Sequence, residues 1–362
     1  MNLPTLRPNP IIIKELRSRM RGARAFVILT GVLLLLGGVG YAIYRIMMAT
    51  SRYSNSPLSP QIGQALFSAL AVLELMMICF ITPAVTAGVI SGEREKQTYE
   101  MLLATPLPPS SILWGKLVSS LSYVFLLIFA AVPMFSLVFI FGGVALGDML
   151  KTLLVLVAVA VTLGVIGVFM SVWLGRTARA TVLSYLVVLA LLIGPLIVYI
   201  LVGVLRNAEP PRWILIPNPV SALFSTATPA ASSGSLDGIF WGLGMALSGN
   251  LGLLSGNQVA ISRPLYHYTL PLYGAMTLAL YLLSTRLIRP TRRWRISRRD
   301  VLSALALFLL LGCVVLGAFV ATANNYERAG LFVTPTPVPV PVMIEREIVA
   351  PVMVSPLPTP LP

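Results

Sequence analysis

Long apolar segments alternate with short polar ones over most of the chain. Six apolar runs lie near residues 25–48, 62–90, 117–141, 150–174, 180–205 and 266–288, and a seventh covers 301–320. Each is close to the roughly 20 residues that an α-helix needs to cross the hydrocarbon layer of a bilayer. The segments between the runs are too short to build a sizeable water-soluble core. The pattern therefore predicts an all-α polytopic membrane protein with one integral domain.

Composition agrees with this prediction. Hydrophobic residues make up 57% of the chain and charged residues only 10%, whereas a soluble domain carries about a quarter charged residues. Both cysteines, Cys79 and Cys313, lie inside apolar runs, so a disulfide framework is not expected. The cysteines and the single histidine, His267, also lack the spacing of a metal site, and His267 fits an aromatic cluster at the membrane interface.

The net charge is +14, and the positions of the basic residues indicate membrane topology rather than a nucleic-acid-binding surface. Most lysines and arginines flank the apolar runs on alternate sides, which places the N-terminus in the cytoplasm under the positive-inside rule. Residues 1–24 then form a cytoplasmic amphipathic segment whose arginines lie near anionic lipid headgroups. Residues 291–320 comprise the end of a basic loop and an extra membrane helix. We expect an integral protein of the plasma or inner membrane.

Two segments belong to the outer side in this topology. Residues 206–264 form the longest segment between spans, and 239–260 within it are too rich in glycine for a good spanning helix but suit a re-entrant or surface segment. Residues 321–362 are rich in proline, valine and threonine. Such a composition favours extended polyproline II structure without a packed core.

The polar stretch 88–116, between the second and third spans, carries the strongest functional pattern. Ser91 or Gly92 can cap a helix that runs over about 92–104, and acidic residues in its first turn suit the helix dipole. Thr105-Pro106 ends the helix. A stiff helix between two spans can transmit force from a soluble partner to both of them. The alternative from the residues alone is an interfacial connector that has no partner.

One further residue is a candidate for the pathway or for a helix interface. Glu74 is an acidic residue deep in the second span, where a charge is costly and often functional. A protonated carboxyl buried in protein is the alternative.

The stretch after the second span resembles the corresponding segment in permease subunits of ABC-2-type ABC transporters. The family pattern is Gly-Glu-Arg-Glu, then Gly-Thr, then Leu-Leu-Ala-Thr-Pro, then Gly-Lys at the third helix. The matching residues here are Gly92, Glu93, Arg94, Glu95, Thr98, Leu102, Leu103, Ala104, Thr105, Pro106, Gly115 and Lys116. Gln97 stands where the family usually has glycine. Weaker likenesses at Asn9-Pro10 and Asn218-Pro219 extend the resemblance over most of residues 9–290.

The resemblance implies a six-helix ABC-2-type transmembrane domain over residues 25–290, acting as the permease of an exporter. Its coupling helix would contact a cytoplasmic ABC ATPase subunit. The ATPase-coupling residues are then Gly92, Glu93, Arg94, Glu95, Thr98, Tyr99, Leu102, Leu103, Thr105 and Pro106. ATP and Mg would be bound by the ATPase, because this chain has no Gly-x-x-x-x-Gly-Lys-Ser/Thr loop and no cofactor site of its own is expected. A second permease, identical or related, completes the implied transporter.

Two other functions remain open at the level of sequence. A non-transporting membrane anchor or sensor that recruits an ATPase would share every feature above. A membrane-embedded lipid-modifying enzyme would need clustered acids, histidines or a nucleophile pair, and the sequence offers few of these. Replacing Glu93 and Glu95 by lysine should uncouple ATPase stimulation without unfolding the spans, because the change falls on a polar helix end.

Overall fold

The computed structural model describes residues 23–51, 59–104, 108–206, 211–226 and 264–288, all within one compact unit that covers residues 1–323. Most of these residues are helical, and there is no strand among them. The longer helices are α1 (Ala23–Ser51), α2 (Ser59–Thr86), α5 (Pro109–Phe141), α6 (Leu146–Leu174), α7 (Thr177–Arg206) and α9 (Tyr266–Leu287). The short ones are α3 (Ser91–Glu95), α4 (Tyr99–Ala104), the 3₁₀ turn η1 (Arg212–Leu215) and α8 (Pro219–Phe224).

Within the described residues, five helices are long and apolar enough to cross a membrane, which confirms the polytopic all-α prediction. They correspond to α1, α2, α5, α6 and α7. The second apolar segment continues beyond α2 through α3 and spans 34 residues. About 20 residues suffice to cross the hydrocarbon layer, so its charged end extends outside that layer. The predicted sixth span forms helix α9, but its tyrosines, threonines and histidine make it less apolar than the five.

The central helix of the bundle is α6, which contacts α2, α5, α7 and α9. In the most apolar stretch of α6, 78% of the residues are buried inside the bundle, compared with 11% in the corresponding stretches of α1 and α7. Two glycines allow the close packing. A Cβ on Gly164 would lie 2.6 Å from Leu121 Cδ2 of α5, and one on Gly167 would lie 2.0 Å from Thr86 Oγ1 of α2. Small residues at helix contacts are typical of membrane bundles.

Two polar contacts occur inside this packing. The Thr277 hydroxyl of α9 donates to Thr162 Oγ1 of α6 over 3.1 Å. Near the start of α6, Lys151 Nζ lies 2.9 Å from Asp148 Oδ1, and both side chains are buried. Polar groups removed from water need partners of this kind, because an unpaired group is costly in a low-dielectric interior.

Several predicted segments lie outside the described residues. They are the N-terminal segment through residue 22, the candidate re-entrant segment 239–260, the extra helix near 301–320 and the tail 321–362. The predicted outer-side loop 206–264 is described only over 211–226. Within that part, five of the six residues of α8 are buried among the long helices, whereas Trp213 of η1 is exposed.

Candidate functional site

The predicted coupling helix is two short helices rather than one. We call residues 87–104 the connector. Helix α3 ends after Glu95, and Gln97 takes a left-handed conformation with φ of 57°. The Thr98 N–H donates to the Glu93 carbonyl and the Gln97 N–H to the Arg94 carbonyl, the two bonds of a Schellman motif. The prediction of one continuous helix over about 92–104 is wrong because this motif ends α3 and redirects the chain into α4.

The left-handed conformation of Gln97 explains why glycine is usual at this place in the family pattern. Glycine is the usual residue at this place in a Schellman motif, because it has no Cβ to oppose a positive φ. The resemblance put the family's glycine at the position of Gln97. The backbone turn is therefore kept here by a residue that adopts it less easily.

The start of α3 is held by a different helix. The expectation that Ser91 or Gly92 caps it is wrong, because α3 begins at Ser91 and no side chain of the connector caps it. Instead, the Ser171 hydroxyl of α6 accepts hydrogen bonds from the Ile90 and Ser91 N–H groups, both at 2.9 Å. These bonds satisfy donors that a helix start leaves unpaired.

Glu93 faces the start of α5. Its Oε1 atom lies 2.9 Å from Lys116 Nζ, and Lys116 is almost fully buried, with its side chain 4% exposed. The Thr98 hydroxyl donates to the other carboxylate oxygen. Burial alone would raise the pKa of the Glu93 carboxyl, but the hydrogen bonds from Thr98 and Lys116, with the nearby positive charge, lower it below its ordinary value.

Glu95 caps the start of α7. Its carboxylate accepts hydrogen bonds from the Thr177 N–H and the Thr177 hydroxyl, both at 2.8 Å. A negative group at a helix N-terminus is favoured by the free N–H groups and the helix dipole. The backbone hydrogen bond from Thr177, followed by the hydroxyl bond, lowers the pKa of Glu95. Glu93 and Glu95 therefore bond to neighbouring helices, which the expectation of a polar helix end did not include.

Tyr99 connects α4 to the end of α9. Its hydroxyl donates to the Ile288 carbonyl over 2.8 Å, and its ring packs against an apolar cluster that includes Ile90 and Leu117. The Arg94 guanidinium lies 4.7 Å from the centre of the same ring, which is a cation–π distance. Tyr99 thus faces the bundle.

The opposite face of the connector is exposed. Its exposed side chains include Lys96, Gln97, Glu100 and Met101, and Met101 is 72% exposed. Sequence reasoning placed none of these among the coupling residues. The available signal was Met101 itself, a large apolar side chain directly after Glu100 in the polar connector. Among the other predicted residues, Gly92 packs beside Thr177, while the side chains of Leu102 and Leu103 and all of Thr105 and Pro106 lie outside the described part.

Glu74 is separate from the connector. It is completely buried within α2, and neither carboxyl oxygen has a hydrogen-bond partner among the residues that the structure describes. The Thr82 hydroxyl, two turns further along α2, is buried and unpartnered in the same part of the chain. Among the described residues, no hydrogen bond joins Glu74 to another predicted site residue.

Sequence reasoning missed a second buried feature at residues 211–226, which we call the return segment. Asn218 is fully buried and caps α8, accepting from the Val220 N–H at 2.8 Å and the Ser221 N–H at 3.3 Å. Its amide nitrogen donates to the Leu192 carbonyl of α7 over 2.8 Å. Asn218-Pro219 was a weak likeness to the family, and the pairing with α7 could not be read from it.

Comparison with protein families agrees with this architecture. The sequence pattern of the family described as ABC-2 family transporter protein matches residues 9–331. The chain belongs to the ABC-2 family of transporter proteins. The match includes the predicted seventh span, beyond the limit of residue 290 expected from the sequence motifs. No curated protein sequence matches the chain at a significant level.

Family membership defines the class of protein. The chain is a multi-pass membrane permease subunit of an ABC transporter, and the family implies an ABC ATPase subunit as its partner. Within that assignment, the connector is the candidate site of communication between the two subunits.

Proposed function

We propose that the chain is the permease of an exporter, driven through its connector by a separate cytoplasmic ABC ATPase. The observation that carries the proposal is the bonding of the connector to four other helices. Its partners are Lys116 of α5, Ser171 of α6, Thr177 at the start of α7 and Ile288 after α9. A load applied to the connector reaches all four helix ends at once.

The two faces of the connector then have different tasks. The acidic residues Glu93 and Glu95 and the ring of Tyr99 hold the helix ends. The exposed residues Lys96, Glu100 and Met101 meet the ATPase, with Met101 as the apolar centre of the contact and the two charges at its rim. This division follows the usual anatomy of a protein interface, in which an apolar core is surrounded by polar groups.

The remaining parts of the proposal come from the family resemblance. ATP and Mg are bound by the ATPase, which closes on ATP and pushes the connector. Export is the direction that the resemblance implies. A second permease, identical or related, pairs with this one through helices that its own bundle leaves largely uncovered. The least covered are α1 and α7, and their remaining surface contacts lipid.

The test is affinity purification of the tagged chain in mild detergent, with co-expression of a candidate ATPase. We expect a stoichiometric ATPase subunit with the wild-type chain, and loss of that subunit with Met101→Glu. Leu146→Glu is the control, because Leu146 is 60% exposed and begins α6 at the opposite end of the bundle. Equal ATPase recovery with Met101→Glu and wild type would remove the connector from the contact.

A further inference from the structure

The tip of the return segment reaches half-way along α7. Asn218 bonds to the carbonyl of Leu192, which is the sixteenth of the 30 residues of that helix. At 1.5 Å per residue, this position is about 22 Å from the start of α7. The segment therefore turns back inside the bundle and fills part of one half of it.

Other hydrogen bonds hold the return segment on either side of its tip. The Thr269 hydroxyl of α9 donates to the Ile216 carbonyl over 2.7 Å, and the Tyr273 hydroxyl donates to the Pro217 carbonyl over 2.8 Å. At the end of the return segment, the buried hydroxyls of Thr226 and of Thr152 in α6 lie 2.8 Å apart. Backbone that is not helical is tolerated at membrane depth only where protein or water satisfies it, and these bonds do so.

The Asn218 bond meets α7 where that helix is intrinsically weak. Pro195 lies inside α7, and a proline has no N–H to bond the carbonyl four residues earlier, that of Leu191. Bends in helices concentrate at such positions. Asn218 donates to the very next carbonyl, so its amide joins the tip of the return segment to the most easily bent part of α7.

We propose that Asn218 is a positioning residue that couples closure of this half of the bundle to the shape of α7. While α7 keeps the described geometry, the amide holds the return segment in place and blocks access to the middle of the bundle. A bend of α7 at Pro195 moves the Leu192 carbonyl, breaks the bond and releases the tip. The inference deepens the proposed function, and its role in a transport cycle rests on that function.

Cys79 offers a direct readout of closure. It lies in α2, which contacts α8, and it is 2% exposed in the same apolar core as Tyr273. The only other cysteine, Cys313, is removed by Cys313→Ala. Two preparations of proteoliposomes are used, each with the protein inserted in one of its two orientations. Membrane-impermeant maleimide added outside then reaches the bundle from one side in each preparation. The rate of Cys79 labelling is measured by mass spectrometry.

Two variants separate the bond to α7 from the cap of α8. Asn218→Ser and Asn218→Asp both keep an oxygen that caps α8, but neither keeps the amide donor to Leu192. We expect each to speed Cys79 labelling at least tenfold, only from the side of the return segment. Thr152→Val is the control, since it removes the hydrogen bond to Thr226 without touching α7, and its labelling rate should stay within twofold of wild type.

The outcomes are distinct. Labelling of both Asn218 variants at the wild-type rate, or equal acceleration in Thr152→Val, would show that Asn218 is only a cap and overturn the proposal. With the ATPase subunit and a non-hydrolysable ATP analogue, wild-type labelling should rise several-fold, while the Asn218 variants should show no further rise. Nucleotide-insensitive labelling of an assembled wild-type complex would refute the role in the cycle. Failure of the ATPase to assemble would instead count against the proposed function.

Discussion

Replacing Glu93 by glutamine removes one charge of the ion pair with Lys116 but keeps the shape of the side chain and an acceptor for Thr98. Lys116 is then left as a charge whose side chain is 4% exposed. Removing one partner of a buried ion pair costs about 3–5 kcal/mol. The Glu93 side chain is 30% exposed, and water at that side reduces the cost. We expect the free energy of unfolding to fall by about 2–3 kcal/mol, below the fully buried range.

A double-mutant cycle tests that explanation. Lys116→Met removes the buried charge and keeps most of the apolar stem. If the pair is the source of the stability, Glu93→Gln should cost much less in the Lys116→Met background than in the wild type. The expected coupling is about 1.5–3 kcal/mol, the range for hydrogen bonds to charged groups. Denaturant titration in mixed micelles, followed by tryptophan fluorescence, measures each corner of the cycle.

The pH dependence gives an independent measurement of the same pair. The pKa of Glu93 is lowered in the folded protein, so its contribution to stability is complete above the ordinary carboxyl pKa near 4.5 and is lost as pH falls through the lowered value. Wild type should therefore lose more stability on acidification below about pH 4.5 than Glu93→Gln. The reasoning would be refuted if the effects of Glu93→Gln and Lys116→Met on the free energy of unfolding simply added, and if wild type and Glu93→Gln lost stability in parallel as the pH fell.

Three further predictions concern other sites. Gln97→Gly should raise the free energy of unfolding by about 1 kcal/mol, because glycine adopts the left-handed conformation that Gln97 holds; a higher midpoint in the same titration is the measurement, and a lower one would contradict it. Glu74→Met should also stabilise the bundle, by about 1–3 kcal/mol, since no described partner is lost and a buried polar group is removed; destabilisation would show that Glu74 has a structural partner. Asp148→Asn should lower the free energy of unfolding by about 3 kcal/mol, because buried Lys151 loses its carboxylate. The double variant Asp148→Asn, Lys151→Met should recover much of that loss, as measured by thermal unfolding.

The apolar pattern predicted the long helices well because each is stabilised by the membrane and by bonds within its own backbone. Capping residues and prolines predicted a helical region over about 92–104, and the observed region runs from Ser91 to Ala104. The prediction missed the break at Gln97, because a charged, proline-free stretch satisfies every local rule for a helix. The glycine that normally reveals such a turn is absent from this sequence.

Contacts between residues far apart in the sequence could not be predicted, for a different reason. An acidic residue in a first turn looks like a favourable partner for its own helix, whereas Glu95 caps α7, 82 residues further along the chain. The return segment looked like part of an outer loop because prolines and polar residues interrupt it. Its burial depends on hydrogen bonds from the hydroxyls of Thr269 and Tyr273. Nothing in the sequence of residues 211–226 indicates these partners.

The glycine contacts of α6 have a mechanical consequence. A Cβ added to Gly167 would lie 2.0 Å from Thr86 Oγ1. Sliding of α2 along α6 would move Thr86 off this glycine and against larger side chains, so we infer that α2 pivots about this contact. The pivot lies five residues from the start of α3 but 27 residues from the start of α2, or roughly 8 Å and 40 Å at 1.5 Å per residue. A helix pivoted so near one end is a lever with about fivefold gain, so a displacement of about 1 Å at the connector would move the far end of α2 by roughly 5 Å. Spin labels at the two ends of α2 would show unequal displacements if this is correct, and equal ones if α2 moves as a sliding body.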